Sequence, residues 1–211
     1  MPVVLAVGSE PLASVADLEA IMERSFTTAE EATAVMQLRL ASAAIRNYTR
    51  QTISLVSDDT VVLRGTSARA FVLPERPVVG VSMVRIGTVA VSTASYQLVR
   101  DELWWGASAL NVGNLVEGVG GWGNAASPVE VTYTHGYGVI PDDIQGVCLD
   151  IALRSMQNPD GATQVQVSMG PASVTQQFAE SVPRLRTKLT EGEKETLNLY
   201  RRRVSCSSLS T

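Results

Sequence analysis

The strongest constraint in this sequence is a change of hydrophobic period. Apolar positions repeat at helical spacing up to about residue 52, alternate in short β-branched runs from Ile53 to Thr134, and return to helical spacing at Pro141. The runs are Ile53–Val56, Val61–Leu63, Ala70–Leu73, Val78–Ile86, Val89–Val91, Tyr96–Val99 and Val129–Thr134, punctuated by Asp-Asp, Gly, Pro and Ser. Strands joined this closely pair antiparallel, because a parallel return needs a crossover of about a dozen residues or more. The chain therefore reads as α+β, with an antiparallel β insertion between a second and a third helix.

The helical segments carry their own punctuation. Leu12, Val15, Leu18, Ile21 and Met22 predict one short amphipathic helix, ended by the Ser25–Thr28 segment. Thr27 and Thr28 each stand three residues before a glutamate, Glu30 and Glu31, so either can open a second helix with a capping box. That helix runs to about residue 51, with Val35, Leu38, Ala41, Ile45 and Tyr48 as its apolar stripe, widened by Met36, Leu40 and Ala44. A third helix opens at Pro141 with Asp142 and Asp143 at the positive end of its dipole. It buries Ile144, Val147, Cys148, Ile151 and Ala152 and stops near Asn158-Pro159. A fourth opens at Thr190 with Glu193 and carries Leu197 and Tyr200. Residues 163–178 alternate again and read as a hairpin or arm. The expected organisation is a helical core of about four helices from 1–52 and 139–204, an antiparallel β domain from 53–138, and a polar flexible tail from 205–211.

Charge and composition limit the functions open to such a fold. The net charge of −4 over 211 residues is unevenly spread: residues 184–204 hold seven cations against three acids, +4, while the remainder holds ten against eighteen, −8. An acidic body with a basic tail suits contact between copies, or docking on an acidic partner, better than nucleic-acid binding by the whole domain. The cysteines Cys148 and Cys206 have neither CxxC spacing nor scaffold density, and read as free thiols. No apolar run reaches membrane-spanning length, and Met1–Val7 lacks the basic flank of an export signal.

Histidine chemistry would rest on His135 alone, which weighs against an enzyme. No GxSxG elbow, HExxH or second histidine accompanies it, so it reads as a turn histidine bonded to backbone. Asp58-Asp59 reads as a turn between strands. Gly118-Val119-Gly120-Gly121-Trp122-Gly123 matches GxGxxG, but it leads into a strand, whereas a phosphate-binding loop must open a helix. It reads as a glycine loop, within a weakly patterned stretch from Gly106 to Ser127, with one aromatic at its tip. No catalytic, cofactor-binding or metal-ligating residue is assigned. Trp104-Trp105 is the densest aromatic feature. Adjacent strand residues face opposite ways, so one is expected in the core and the other on a partner surface or an edge rim. Arg201-Arg202-Arg203 reads as a solvated helix end or a docking element.

Several segments together resemble the head-tail connector proteins of tailed bacteriophages. They are Leu73-Pro74-Glu75-Arg76-Pro77-Val78, Val84-Arg85-Ile86-Gly87, and Val131-Thr132-Tyr133-Thr134-His135-Gly136-Tyr137 leading into Ile140-Pro141-Asp142-Asp143-Ile144. The last is Leu189-Thr190-Glu191 to Leu199-Tyr200-Arg201-Arg202. The resemblance runs from about residue 14 to 204. It implies a structural virion protein, an adaptor ring typically of twelve copies, docked on the portal protein, joined to the next neck or tail protein and traversed by genomic DNA without sequence-specific binding. It also implies assembly in the host cytoplasm. The C-terminal helix commonly engages the portal in such adaptors, which maps onto Tyr200, Arg201, Arg202 and Arg203; Trp104 and Trp105 are the other interface candidates. The chain departs from compact members by its β insertion and by about twice their length. Two alternatives stay open: another neck component (stopper or tail-completion protein), and, from a different class, a ligand-binding or hydrolytic β domain using His135 with Trp104 and Trp105.

Overall fold

In the computed structural model, the described residues are 10–106, 122–123, 127–157, 164–169, 172–177 and 188–202; of 164–169 and 172–177 only the backbone is described. The elements in chain order are α1 Val15–Met22, α2 Thr28–Thr49, β1 Val56–Arg64, β2 Ala70–Val72, β3 Val78–Ile86, β4 Val89–Ala90, β5 Tyr96–Val99, β6 Glu102–Trp105, β7 Pro128–His135, α3 Asp142–Gln157, β8 Gln164–Met169, β9 Ala172–Gln177 and α4 Glu191–Asn198. The protein is α+β. The chain divides into two units, one of Met1–Arg50 with Ile140–Arg201, the other of Gln51–Val139 with Arg202–Thr211.

In the first unit, helix starts are set by side chains that satisfy otherwise orphan amides. Ser14 and Asp17 form a capping box on α1, Thr27 and Glu30 on α2, and Thr190 and Glu193 on α4. Of the two boxes the sequence allows at α2, Thr27–Glu30 forms. Glu30 also accepts from the Arg24 guanidinium at 2.7 Å, and that contact, followed by the Thr27 amide and hydroxyl, lowers its carboxyl to about 2. The buried face of α2 is Ala34, Leu38, Ala41, Ser42, Ile45 and Thr49, rotated from the expected stripe so that Val35 and Met36 face outward. Small residues at 34, 41 and 42 let neighbouring helices approach closely, which a stripe led by Val35 would not. Ser42 joins three segments. Its hydroxyl donates to the Leu38 carbonyl, accepts from the Leu12 amide at 2.8 Å, and lies 3.4 Å from the Cys148 sulfur. Cys148 is buried on α3, and burial pushes its thiol up.

In the second unit, β1-β7-β3-β4 make a four-stranded antiparallel sheet and β2-β6-β5 a three-stranded one. β7 alternates strictly, with Val129, Val131, Tyr133 and His135 buried. Leu73, Val84, Tyr96, Leu103 and Trp122 complete the core with Val129, Val131 and Tyr133. The hairpin expected at Ile86-Gly87-Thr88-Val89 forms, with Gly87 at φ +59, a left-handed conformation that glycine adopts freely. β8 and β9 pair antiparallel, as the alternation over 163–178 indicated.

Two expectations are corrected. Asp58 and Asp59 are not a turn between strands: they lie within β1, which runs unbroken from Val56 to Arg64 through a bulge. Trp122 is not at a loop tip. It is fully buried, stacked on Phe71 at 4.7 Å and edge-on to Trp105 at 5.1 Å, and its indole N–H donates to the Arg69 carbonyl at 3.1 Å. The glycines around it carry no hydrophobic period, so pattern reading has nothing with which to place it. Its size and its three aromatic neighbours decide its position.

Candidate functional site

The bulge in β1 organises the neighbourhood of the single histidine. Val56 pairs with His135 and Asp59 with Tyr133, so Ser57 and Asp58 together oppose Thr134 alone. The extra residue turns the two successive acids to different partners. Asp58, at φ +51, takes its amide to the Thr134 hydroxyl at 3.4 Å, and its carboxylate accepts from Ser82 at 2.9 Å. Ser82 stands at a matching irregularity in β3, so bulged residues from both flanking strands meet over β7. Asp59 lies 3.1 Å from the Nε2 of His135.

His135 is thus bonded through its ring to a carboxylate rather than to backbone as expected, because the bulge turns the Asp59 side chain, which stands opposite Tyr133, toward the imidazole. Its side chain is 2% exposed, its ring packs on Tyr133 at 4.9 Å, and its Nδ1 has no hydrogen-bond partner among the described residues. The next residue explains the burial. Gly136 has φ +91, and a Cβ there would collide with the Ser54 carbonyl. Its amide donates to Pro77 at 2.9 Å, Tyr137 donates to Ile53 at 2.7 Å, and Leu55 donates back to Tyr137 at 3.1 Å. Tyr133 adds a further tie, its phenol oxygen accepting from the Glu75 amide at 3.3 Å while burial pushes its pKa up to about 12. The Tyr-Thr-His-Gly-Tyr segment is therefore a structural clasp.

Among the described residues, this geometry does not assemble acyl-transfer chemistry. A base needs a nucleophile within hydrogen-bond reach and a path for substrate, whereas Ser82 is held by Asp58 and the imidazole is buried. No group of three or more potential metal ligands occurs among the described residues. Of the GxGxxG segment, only Trp122 and Gly123 are described, and β7 follows them rather than a helix.

The aromatic pair on β6 separates as the strand geometry requires. Trp105 joins the core through Trp122, whereas Trp104 is 41% exposed, its N–H held by Glu102 at 3.1 Å. Ala70 and Gln97 flank it in register on the adjacent strands. The indole is thus an exposed aromatic surface held by one carboxylate between smaller neighbours.

The C-terminal candidates are partly engaged within their own unit. The Tyr200 hydroxyl meets both oxygens of Asp143 at 2.7 and 2.9 Å, Tyr48 donates to Asn198 at 2.8 Å, and Arg201 lies over the Tyr48 ring at 5.6 Å. Arg154 and Glu193 pair at 2.6 Å. Arg201 and Arg202 are exposed, and Arg203 lies outside the described residues, as do Arg184, Arg186 and Cys206. Leu199, 83% exposed between the strapped Asn198 and Tyr200, is not among the candidates read from the sequence. Its offset of two from Leu197 places it on the opposite face, which is the signal that finds it.

No family model and no curated protein matches this sequence. Solved structures do. A chain in the neck of a native gene transfer agent particle, computed with C12 symmetry, is 18% identical with a TM-score of 0.51. A chain in the neck of the empty particle, computed with C6 symmetry, is 18% identical with a TM-score of 0.52. A chain in the virion of the native particle is 17% identical with a TM-score of 0.54. Each match covers 97% of this chain and 96% of the other. The fold is thus that of these chains, over nearly their full length.

Proposed function

We propose that this protein is a structural subunit of a phage-like neck, a head-to-tail adaptor that forms an oligomeric ring on the portal, joins the capsid to the tail and lines part of the DNA passage. The observation that carries the reading is that the fold shared with the neck chains extends over 97% of this chain, helices and strands alike. In this reading the four helices are the adaptor bundle and β1–β7 an insertion between α2 and α3. The C12 and C6 symmetries of the similar neck structures support a cyclic homo-oligomer. A ring needs heterologous contacts, two different patches that meet between neighbours.

The buried His135 clasp and the carboxylate-held Trp104 suit a protein whose work is to hold position. The C-terminal helix is the proposed portal contact. There Leu199 supplies the apolar anchor and Arg201, Arg202 and Arg203 the charge, while Tyr200 fixes the helix end to Asp143. Reversing the three arginines to glutamate is expected to abolish capture by the portal of the same particle, with the circular dichroism spectrum retained. Unchanged capture overturns the assignment. A stopper or tail-completion role shares the same fold evidence and differs in position; binding to the tail end of a neck already holding an adaptor favours it.

A further inference from the structure

The acidity of the chain is itself segregated within the first two helices. Residues 10–31 contain six acids, Glu10, Asp17, Glu19, Glu23, Glu30 and Glu31, against Arg24, a net −5. Residues 32–57 contain Arg39, Arg46 and Arg50 and no acid, a net +3. Glu10 lies beside Arg46, within the cationic stretch; the other five acids, with Arg24 a net −4, the fold keeps on a separate surface. Leu12 meets Ser42 and Arg46 reaches the Glu10 carbonyl, while the α1–α2 connection closes on itself through Arg24 and Glu30. α1 therefore runs antiparallel along α2, and the acids from Asp17 to Glu31 gather at the end of α2 opposite Arg50. With 22 residues, α2 spans about 33 Å.

A second observation marks the same surface. Ile21 at 51%, Val35 at 41% and Met36 at 54% are exposed apolar side chains on these two helices. Val35 and Met36 stand between Glu31 and Arg39, at the boundary of the two charged stretches. Glu31, Val35 and Arg39 recur at i, i+4, i+8, on one exposed face. Some acids of the corner serve their own helices: Asp17 caps α1, Glu19 accepts from the Phe26 amide, and Glu30 caps α2 and pairs with Arg24. Glu23 and Glu31 remain exposed, as do Arg39 and Arg50. Apolar residues rimmed by opposite charges on two separate patches are what a heterologous contact between identical chains requires.

We propose that the acidic α1–α2 corner of one copy docks on the Arg39–Arg50 stretch of α2 in the next, covering Ile21, Val35 and Met36. The inference rests on the ring reading above and names the contact that closes the ring. Charges facing each other in this way steer association and fix its direction, and they make it sensitive to salt.

The test uses the full-length chain and two complementary variants, Glu23→Lys with Glu31→Lys, and Arg39→Glu with Arg50→Glu, each checked for native circular dichroism. Association is followed by light scattering across salt concentration. The wild-type protein is expected to self-associate at low salt, and each variant alone to associate about tenfold or more weakly. Mixing the two variants is expected to restore association, because each supplies the face the other has lost. Should a reversed variant not fold, Glu31→Gln and Arg39→Gln replace it, and both are expected to weaken association.

A wild-type chain that stays monomeric, a two-fold dimer as the end state, variants that associate normally, or a mixture that fails to recover each overturns the contact. The same samples are scored for portal capture. If the mixture assembles while the wild type binds no portal, the contact stands and the neck reading falls. If the wild type binds the portal while the mixture stays inert, the reverse holds.

Discussion

Truncating Trp122 to alanine tests the least expected feature of the fold. The indole is fully buried, stacks on Phe71, meets Trp105 edge-on, lies 6.3 Å from the Tyr96 ring centroid, and donates to the Arg69 carbonyl. Removing a buried tryptophan costs about 3–5 kcal/mol in transfer and cavity terms. The lost ring contacts, about 0.5–1.5 kcal/mol a pair, and the orphaned carbonyl place this site in the upper half of that range. All three tryptophans lie between Gln51 and Val139, so tryptophan fluorescence follows the β unit alone. With a urea m-value of about 1–3 kcal/mol/M, the midpoint should fall by about 2 M, read from Trp104 and Trp105 in the variant. Trp122→Phe keeps a ring against Phe71 but gives up the indole hydrogen bond and some volume, and should cost less, about 1–3 kcal/mol. A Trp122→Ala loss below about 0.5 kcal/mol, the range of an exposed position, would refute the reasoning.

Two further outcomes follow from the geometry. Gly136→Ala forces a side chain into a left-handed conformation and against the Ser54 carbonyl, so the β unit should lose more than about 2 kcal/mol in the same urea assay; an effect under 1 kcal/mol contradicts the clasp. Glu30 is held at about 2 in the folded chain, chiefly by Arg24 and then by Thr27, against an ordinary value of 4.5. A lowered folded pKa means stability that is present above 4.5 and lost as pH falls through 4.5 toward 2, so Glu30→Gln should flatten the acid limb of helical-unit stability in that window. An unchanged acid limb, followed by far-ultraviolet circular dichroism at low salt, counts against the Arg24–Glu30 pairing.

Much of the secondary structure was legible because it rests on local rules. The switch of period at about residue 52 separates α2 from β1, the Thr27–Glu30 and Thr190–Glu193 boxes mark helix starts, and the Gly87 hairpin sits where its sequence puts it. The misreadings share one cause, which is that the deciding partner lies far away in sequence. Asp59 meets His135 across 76 residues, Trp122 meets Arg69 across 53, and Tyr200 meets Asp143 across 57. A bulge leaves no periodic trace, so Asp-Asp within a strand looks like a turn. Of the interface candidates, the opposite facing of Trp104 and Trp105 followed from strand geometry. The strapping of Tyr200 depends on where α4 packs, which no local pattern encodes.

The neck assignment is tested most directly by the mass and symmetry of the complex between this chain and the portal of its own particle, determined by electron microscopy. The account predicts a closed cyclic ring of many copies, coaxial with the portal and with the C-terminal helices against it. A complex holding one or two copies, or a portal that leaves the chain unbound at all salt concentrations, would contradict it.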